Sequence, residues 1–139
     1  MIPIHNEAEY AVPRERAAEA IDGVARIVRS APPEYRVNFP MEVRFVPSDD
    51  IPMSPAFGRD SCYVGAYVAS RKWTGPYHRD FESLMHDFDG RPHWGKLFSR
   101  TADDFARLYP RYHAFNELRQ ACDPLGLFRN AFVDRVFGL

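Results

Sequence analysis

An α+β domain, with helices packed on one face of a small antiparallel sheet, is the architecture predicted for this chain of 139 residues. Three observations predict it. Ala17, Ala20, Ile21, Val24, Ile27 and Val28 recur at helical spacing, so one apolar stripe runs along about four turns. Two later runs, 39–47 and 62–70, have the alternation or the Val, Tyr and Ala content of strands. Beyond them the pattern turns helical, and an order of β-α-β-β-α followed by helices places one sheet against one helical layer.

Taken in order, Glu7 to Val12 alternates weakly and ends at Pro13, which suits a short strand leading into a helix with proline in its first turn. Ala31-Pro32-Pro33 stops that helix. In the strand from Phe39 to Pro47, Met41, Val43 and Phe45 share one face while Glu42, Arg44 and Val46 share the other. Asp49 to Asp60 carries Pro52, Pro55 and Gly58, an ordered excursion of the kind that often bears function. In Cys62 to Ser70, Tyr63, Gly65 and Tyr67 oppose Cys62, Val64, Ala66 and Val68, and the strand is expected to pair antiparallel with its predecessor. Gly75-Pro76 opens a helix with Phe81, Leu84, Met85 and Phe88 on its apolar face, closed by Asp89-Gly90. Thr101 and Asp104 make a capping-box start to a short helix buried by Phe105 and Leu108. Pro110 begins another, with Phe115, Leu118 and Cys122 on one side, and Asp123-Pro124-Leu125-Gly126 ends it. Phe132, Val133, Val136 and Phe137 mark a last short helix docked on the core.

Composition narrows the function. A hydrophobic content of 45% and a formal net charge of −1 fit one globular domain with an ordinary core. Basic residues are interspersed with nearly as many acids, so no broad basic face exists and nucleic acid is not expected as a partner. No apolar run nears the roughly 20 residues that cross a bilayer. There is no signal-peptide pattern, and the chain reads as soluble and cytoplasmic. Cys62 and Cys122 lack C-x-x-C spacing and read as two reduced, buried thiols. The five histidines show no ligand spacing, so no metal site is expected. Nucleophile-elbow, P-loop and dinucleotide-binding motifs are absent from the sequence.

Two segments carry candidate chemistry. In Gly90-Arg91-Pro92-His93-Trp94-Gly95-Lys96, an imidazole and an ammonium stand three residues apart. Pro92 pushes Arg91 toward extended geometry, and Gly95 permits close approach of a backbone or flat ring. The alternative is a tight loop with Trp94 in the core. Glu42 and Arg44, two apart on a strand, leave the same face and can meet as an ion pair. With Tyr63 and Tyr67 they make a sheet face suited to a flat polar ligand or a second domain; otherwise they are a solvated pair of little energetic value.

From Glu9 onward the chain resembles the C-terminal part of the aldonolactone oxidases, FAD flavoproteins that include D-arabinono-1,4-lactone, L-gulonolactone and, more distantly, alditol oxidases. The resemblance rests on Glu9-Tyr10-Ala11-Val12-Pro13, Phe39-Pro40-Met41-Glu42-Val43-Arg44-Phe45, Asp49-Asp50-Ile51 with Ser54-Pro55, Arg59-Asp60-Ser61, residues 90–96, Tyr109-Pro110 and Asp123-Pro124-Leu125-Gly126-Leu127-Phe128. It implies that residues 1–139 are the substrate, or cap, domain of a vanillyl-alcohol-oxidase-type flavoprotein, whose FAD-binding domain is absent here and is supplied in cis or in trans. It also implies oxidation of a CH–OH group of a sugar lactone or polyol, with oxygen as the usual acceptor and little activity without the flavin domain. Lys96 would be the fixed cation near the flavin, with His93 and Trp94 beside it. Arg44 would assist, Glu42 would accept substrate hydrogen bonds, and Tyr63 and Tyr67 would line the substrate. The strand from Cys62 to Ser70 has no histidine where alditol oxidases place one, which favours a lactone over a polyol. Full-length relatives of this kind can associate peripherally with membranes. A non-catalytic binding module, or one that buries its aromatic face in a homo-oligomer, is the competing reading.

Overall fold

The computed structural model describes residues 5–32, 40–68 and 75–139. Pro33 and the predicted strand ends Phe39 and Ser70 lie outside the described residues. Among the described residues four strands, β1 (Asn6–Pro13), β2 (Glu42–Val46), β3 (Ser61–Val68) and β4 (Arg91–Pro92), form an antiparallel sheet in the order β2-β3-β1-β4. The helices are α1 (Ala17–Ser30), α2 (Gly75–His86), α3 (Ala102–Leu108), α4 (Tyr112–Cys122) and α5 (Ala131–Phe137). The fold is α+β, as predicted, and β2 pairs antiparallel with β3.

Alternation decides which sheet face is buried. Tyr10 and Val12 of β1 stand beside Val64 and Cys62 of β3, and all four are fully buried against Ala20 and Val24 of α1 and Phe81 and Met85 of α2. Gly23 lets the two helices close up, since a Cβ there would lie 2.7 Å from Leu84 Cδ2. A smaller core forms around Phe105, Leu108, Tyr109, Tyr112 and Val136. Trp94 joins it, stacking on Phe105 at 4.9 Å and donating its indole N–H to Met53 O at 2.8 Å. Phe98 packs against both cores.

Several local expectations change. Pro13 is the last residue of β1, extended at ψ 133° opposite Ser61, and a 3-10 turn, Arg14–Arg16, intervenes before α1. Proline therefore ends the strand and does not enter the first turn of the helix. Strand β4 is an addition: its two residues, too few for periodicity to register, pair with Tyr10 and Ala11. On β2 the register sends Val43 and Phe45 to the helix side, yet Phe45 is 56% exposed, because β2 is the sheet edge and α1 and α2 do not reach over it. The predicted apolar side of α4 is open as well. Phe115 and Leu118 are exposed, and Tyr112 is the buried residue that docks this helix. Of the two thiols, both free, Cys62 is buried as expected while Cys122 lies exposed at the end of α4. The Thr101–Asp104 capping box is present, with Thr101 N–H donating to Asp104 Oδ2 at 3.0 Å.

This packing predicts an asymmetry in denaturant unfolding. Phe105→Ala should cost about 3–5 kcal/mol by emptying the smaller core. Leu118→Ala, at a position 62% exposed, should change stability by no more than about 0.5 kcal/mol.

Candidate functional site

On the face of the sheet turned away from α1 and α2, the register sets Glu9, Gly65 and Glu42 in one row and Ala11, Tyr63 and Arg44 in the next. Glu7 stands opposite Tyr67 in the row on the other side of Glu9. The strands' twofold alternation brings these residues to one surface although they span six tens of sequence positions.

A continuous polar ladder results. The Lys96 ammonium bonds Glu7 Oε2, and the Tyr67 phenol, which also interacts with Glu7, donates to Glu42 Oε2 at 2.7 Å. Glu42 Oε1 lies 3.3 Å from Arg44 Nε, and Arg44 Nη2 bonds Glu9 Oε1. The Arg44 guanidinium also sits over the Tyr63 ring, 5.4 Å from its centre. Gly65 makes room for this arrangement, because a Cβ there would stand 2.6 Å from Tyr67 Cε2. The tyrosine ring leans through that space to reach Glu42.

Burial raises the Tyr67 phenol pKa, and the two carboxylates raise it further, so it is a fixed proton donor at physiological pH. Burial pushes the Glu7 pKa up, but the hydrogen bonds from Lys96 and Tyr67 and the Lys96 charge pull it below its ordinary 4.5. The bond to Glu9 raises the Arg44 pKa, so that side chain is a permanent cation. Beside Lys96 is a pocket of about 290 Å³ lined by His5, Asn6, Glu7, Gly95, Lys96 and Leu97.

The structure thus gathers Glu42, Arg44, Tyr63, Tyr67 and Lys96 on one surface. His93 stands at its margin and shapes the turn: its N–H bonds Glu9 O at 2.9 Å, and its Nδ1 accepts from Gly95 N–H at 3.1 Å. Trp94 faces the smaller core, where it lines an apolar pocket with Met53 and Phe115. Sequence reasoning missed Glu7 and Glu9 as members of the ladder. The available signal was their two-residue spacing on a strand, which puts both on the face that Arg44 shares.

At the β4 end of the same face, Arg91 is buried and donates to Leu108 O, Pro55 O and Phe57 O, tying the 49–60 excursion to the sheet. Burial and the neighbouring Arg91 charge push the Arg59 pKa down to about 10. Among the described residues no cluster of three or more potential metal ligands occurs, and no helix is long and apolar enough to cross a membrane.

The sheet face thus presents Lys96, Arg44, Glu42 and Tyr67 at its surface above buried Glu9 and Tyr63. A sequence profile described as D-arabinono-1,4-lactone oxidase matches residues 4–136. The chain belongs to that oxidoreductase family, whose members are flavoproteins, typically FAD-dependent. It is 37% identical over 138 residues to the L-gulonolactone oxidase of Mus musculus, and 93% of the chain takes part. To the L-gulono-1,4-lactone dehydrogenase of Mycobacterium tuberculosis (strain ATCC 25618 / H37Rv) it is 40% identical over 132 residues and 95% of the chain. An alditol oxidase of a Streptomyces species is 35% identical over 128 residues and 91% of the chain. The chain spans 30% of the length of each of these relatives.

The donor set fits the polar edge of a flavin. Lys96 and Arg44 are cations that remain 26% and 47% exposed while held from beneath by carboxylates.

Two outcomes follow from the ladder. Because the folded-state pKa of Glu7 is depressed, its contribution to stability is full above 4.5 and is lost as pH falls through the folded value. Lys96→Met should flatten that acid-side loss in urea titrations and move the Glu7 carboxyl 13C titration upward. Gly65→Ala should displace the Tyr67 ring and remove its bond to Glu42, costing about 1 kcal/mol and visible as altered Tyr67 ring resonances.

Proposed function

We propose that this chain is the substrate-covering part of an FAD-dependent oxidoreductase that oxidises a CH–OH group of an aldono-1,4-lactone, D-arabinono-1,4-lactone being the type substrate and oxygen the acceptor. The observation that carries the proposal is the gathering of Lys96, Arg44 and Glu42 on one sheet face in a chain of this family. The flavin domain would come from a fuller parent chain or a separate polypeptide.

When bound, the flavin supplies the redox chemistry at the carbinol carbon. The chain's own residues orient and polarise. Lys96, seated on Glu7, would present a fixed positive charge where negative charge develops on the cofactor's pyrimidine edge. Arg44 and Glu42 form a donor–acceptor pair suited to a lactone's oxygens and hydroxyls. Tyr67 keeps its proton and can donate to a substrate oxygen or stay on Glu42. Tyr63, buried beneath the Arg44 guanidinium, supports it from below, and His93 holds the turn that delivers Lys96. The resemblance to alditol oxidases implies a histidine on β3, and this strand carries none, which favours a lactone over an open polyol.

The purified chain should carry no flavin absorbance. Combined with the flavin-binding part of a relative, it should support lactone oxidation, assayed with oxygen and with an electron-accepting dye because relatives are named both oxidase and dehydrogenase. Lys96→Ala should lower turnover by about 10²–10³-fold. Equal rates for variant and wild type would discredit the role given to Lys96, and stoichiometric flavin in the isolated chain would remove the need for a second domain.

A further inference from the structure

We infer that Glu9 is a positioning residue for Arg44, a buried anchor that fixes the guanidinium against the ligand it faces. The inference rests on the reading of Arg44 as a substrate-facing cation. Its support is an unequal burial: the Glu9 side chain is 2% exposed and the Arg44 side chain 47%. Such a pair is poorly placed to stabilise the fold. Enclosing a carboxylate is costly, and a half-solvated guanidinium returns little of that cost, so an apolar residue on β1 would serve stability as well or better. What the arrangement does provide is direction.

Arg44 belongs to β2 and Glu9 to β1, with β3 between them, so the arginine reaches across one whole strand to its anchor. Gly65 is the β3 residue opposite both Glu9 and Glu42, and its missing side chain leaves the crossing low. Over that span the guanidinium is held at three points. Nη2 bonds Glu9, Nε faces Glu42 Oε1 at 3.3 Å, and its plane lies over Tyr63. Glu42 is 48% exposed and free to exchange its partner for a ligand hydroxyl, whereas buried Glu9 has no such freedom. Glu9 itself is immobilised from its backbone, since its carbonyl accepts the His93 N–H at 2.9 Å and its strand is central in the sheet. The same carbonyl contact links the anchor of Arg44 to the turn that delivers Lys96.

The test uses 15N NMR of the 139-residue chain without flavin or substrate, reading rotation about the Arg44 Cζ–Nη2 bond. In wild type this rotation should be at least about tenfold slower than in Arg79, which is 75% exposed; the ratio corresponds to one charge-assisted hydrogen bond. Glu9→Gln should speed it at least about tenfold, Glu42→Gln by no more than about twofold, and Glu9→Asp should restore part of the restraint by keeping the charge. Equal rotation in Arg44 and Arg79 of the wild type, or an unchanged Arg44 in folded Glu9→Gln, overturns the inference. The wild-type comparison holds even where a Glu9 variant does not fold. A failed oxidation assay would touch the functional reading and leave this result standing.

Discussion

The structure turns on two carboxylates of the central strand β1, Glu7 and Glu9, which lie about 6.6 Å apart along one face. Each takes one cation, and the cations arrive from opposite sides of the sheet: Lys96 from the turn after β4, Arg44 from β2. Burying negative charge on a central strand is tolerable only because both partners come back over the sheet to meet it. Once that constraint is in place, the geometry of β2, Gly65 and the 93–96 turn is largely determined by it.

How much of this was legible depends on what the sequence pattern encodes. The helical stripe of α1, the split faces of β3 and the capping box of α3 could be read because each is a local periodicity with one physical cause. Glu42 and Arg44 were readable as a pair for the same reason. Glu9 was not, because a buried acid and a solvated one look alike until the residue that covers them is known, and here it comes from a strand thirty-odd positions away. The openness of α4 was hidden likewise: amphipathicity tells which face would be buried, not whether anything is there to bury it. Trp94 could be read either as part of the site or as core, and only the packing of α3 against the turn decides where its ring goes.

Family membership and geometry contribute differently. The sequence match identifies an oxidoreductase lineage, and the relatives it names differ in substrate and in acceptor. The sheet face adds a charge pattern: three acids against two exposed bases, with a phenol locked as a donor between two of the acids. A surface of that kind holds hydrogen-bond donors and acceptors side by side.

The two hydrophobic cores meet at Phe98, two residues beyond Lys96. The smaller one contains fewer enclosed side chains and borders the exposed rings of Phe115 and Phe132, so heat is expected to loosen it first. Its softening would withdraw the support beneath Trp94 and let the ammonium drift from its seat while the sheet still stood. Loosening of the lysine's seat would then precede melting of the sheet, and ageing of the protein would first show as altered contacts of Lys96 in material that still looks folded.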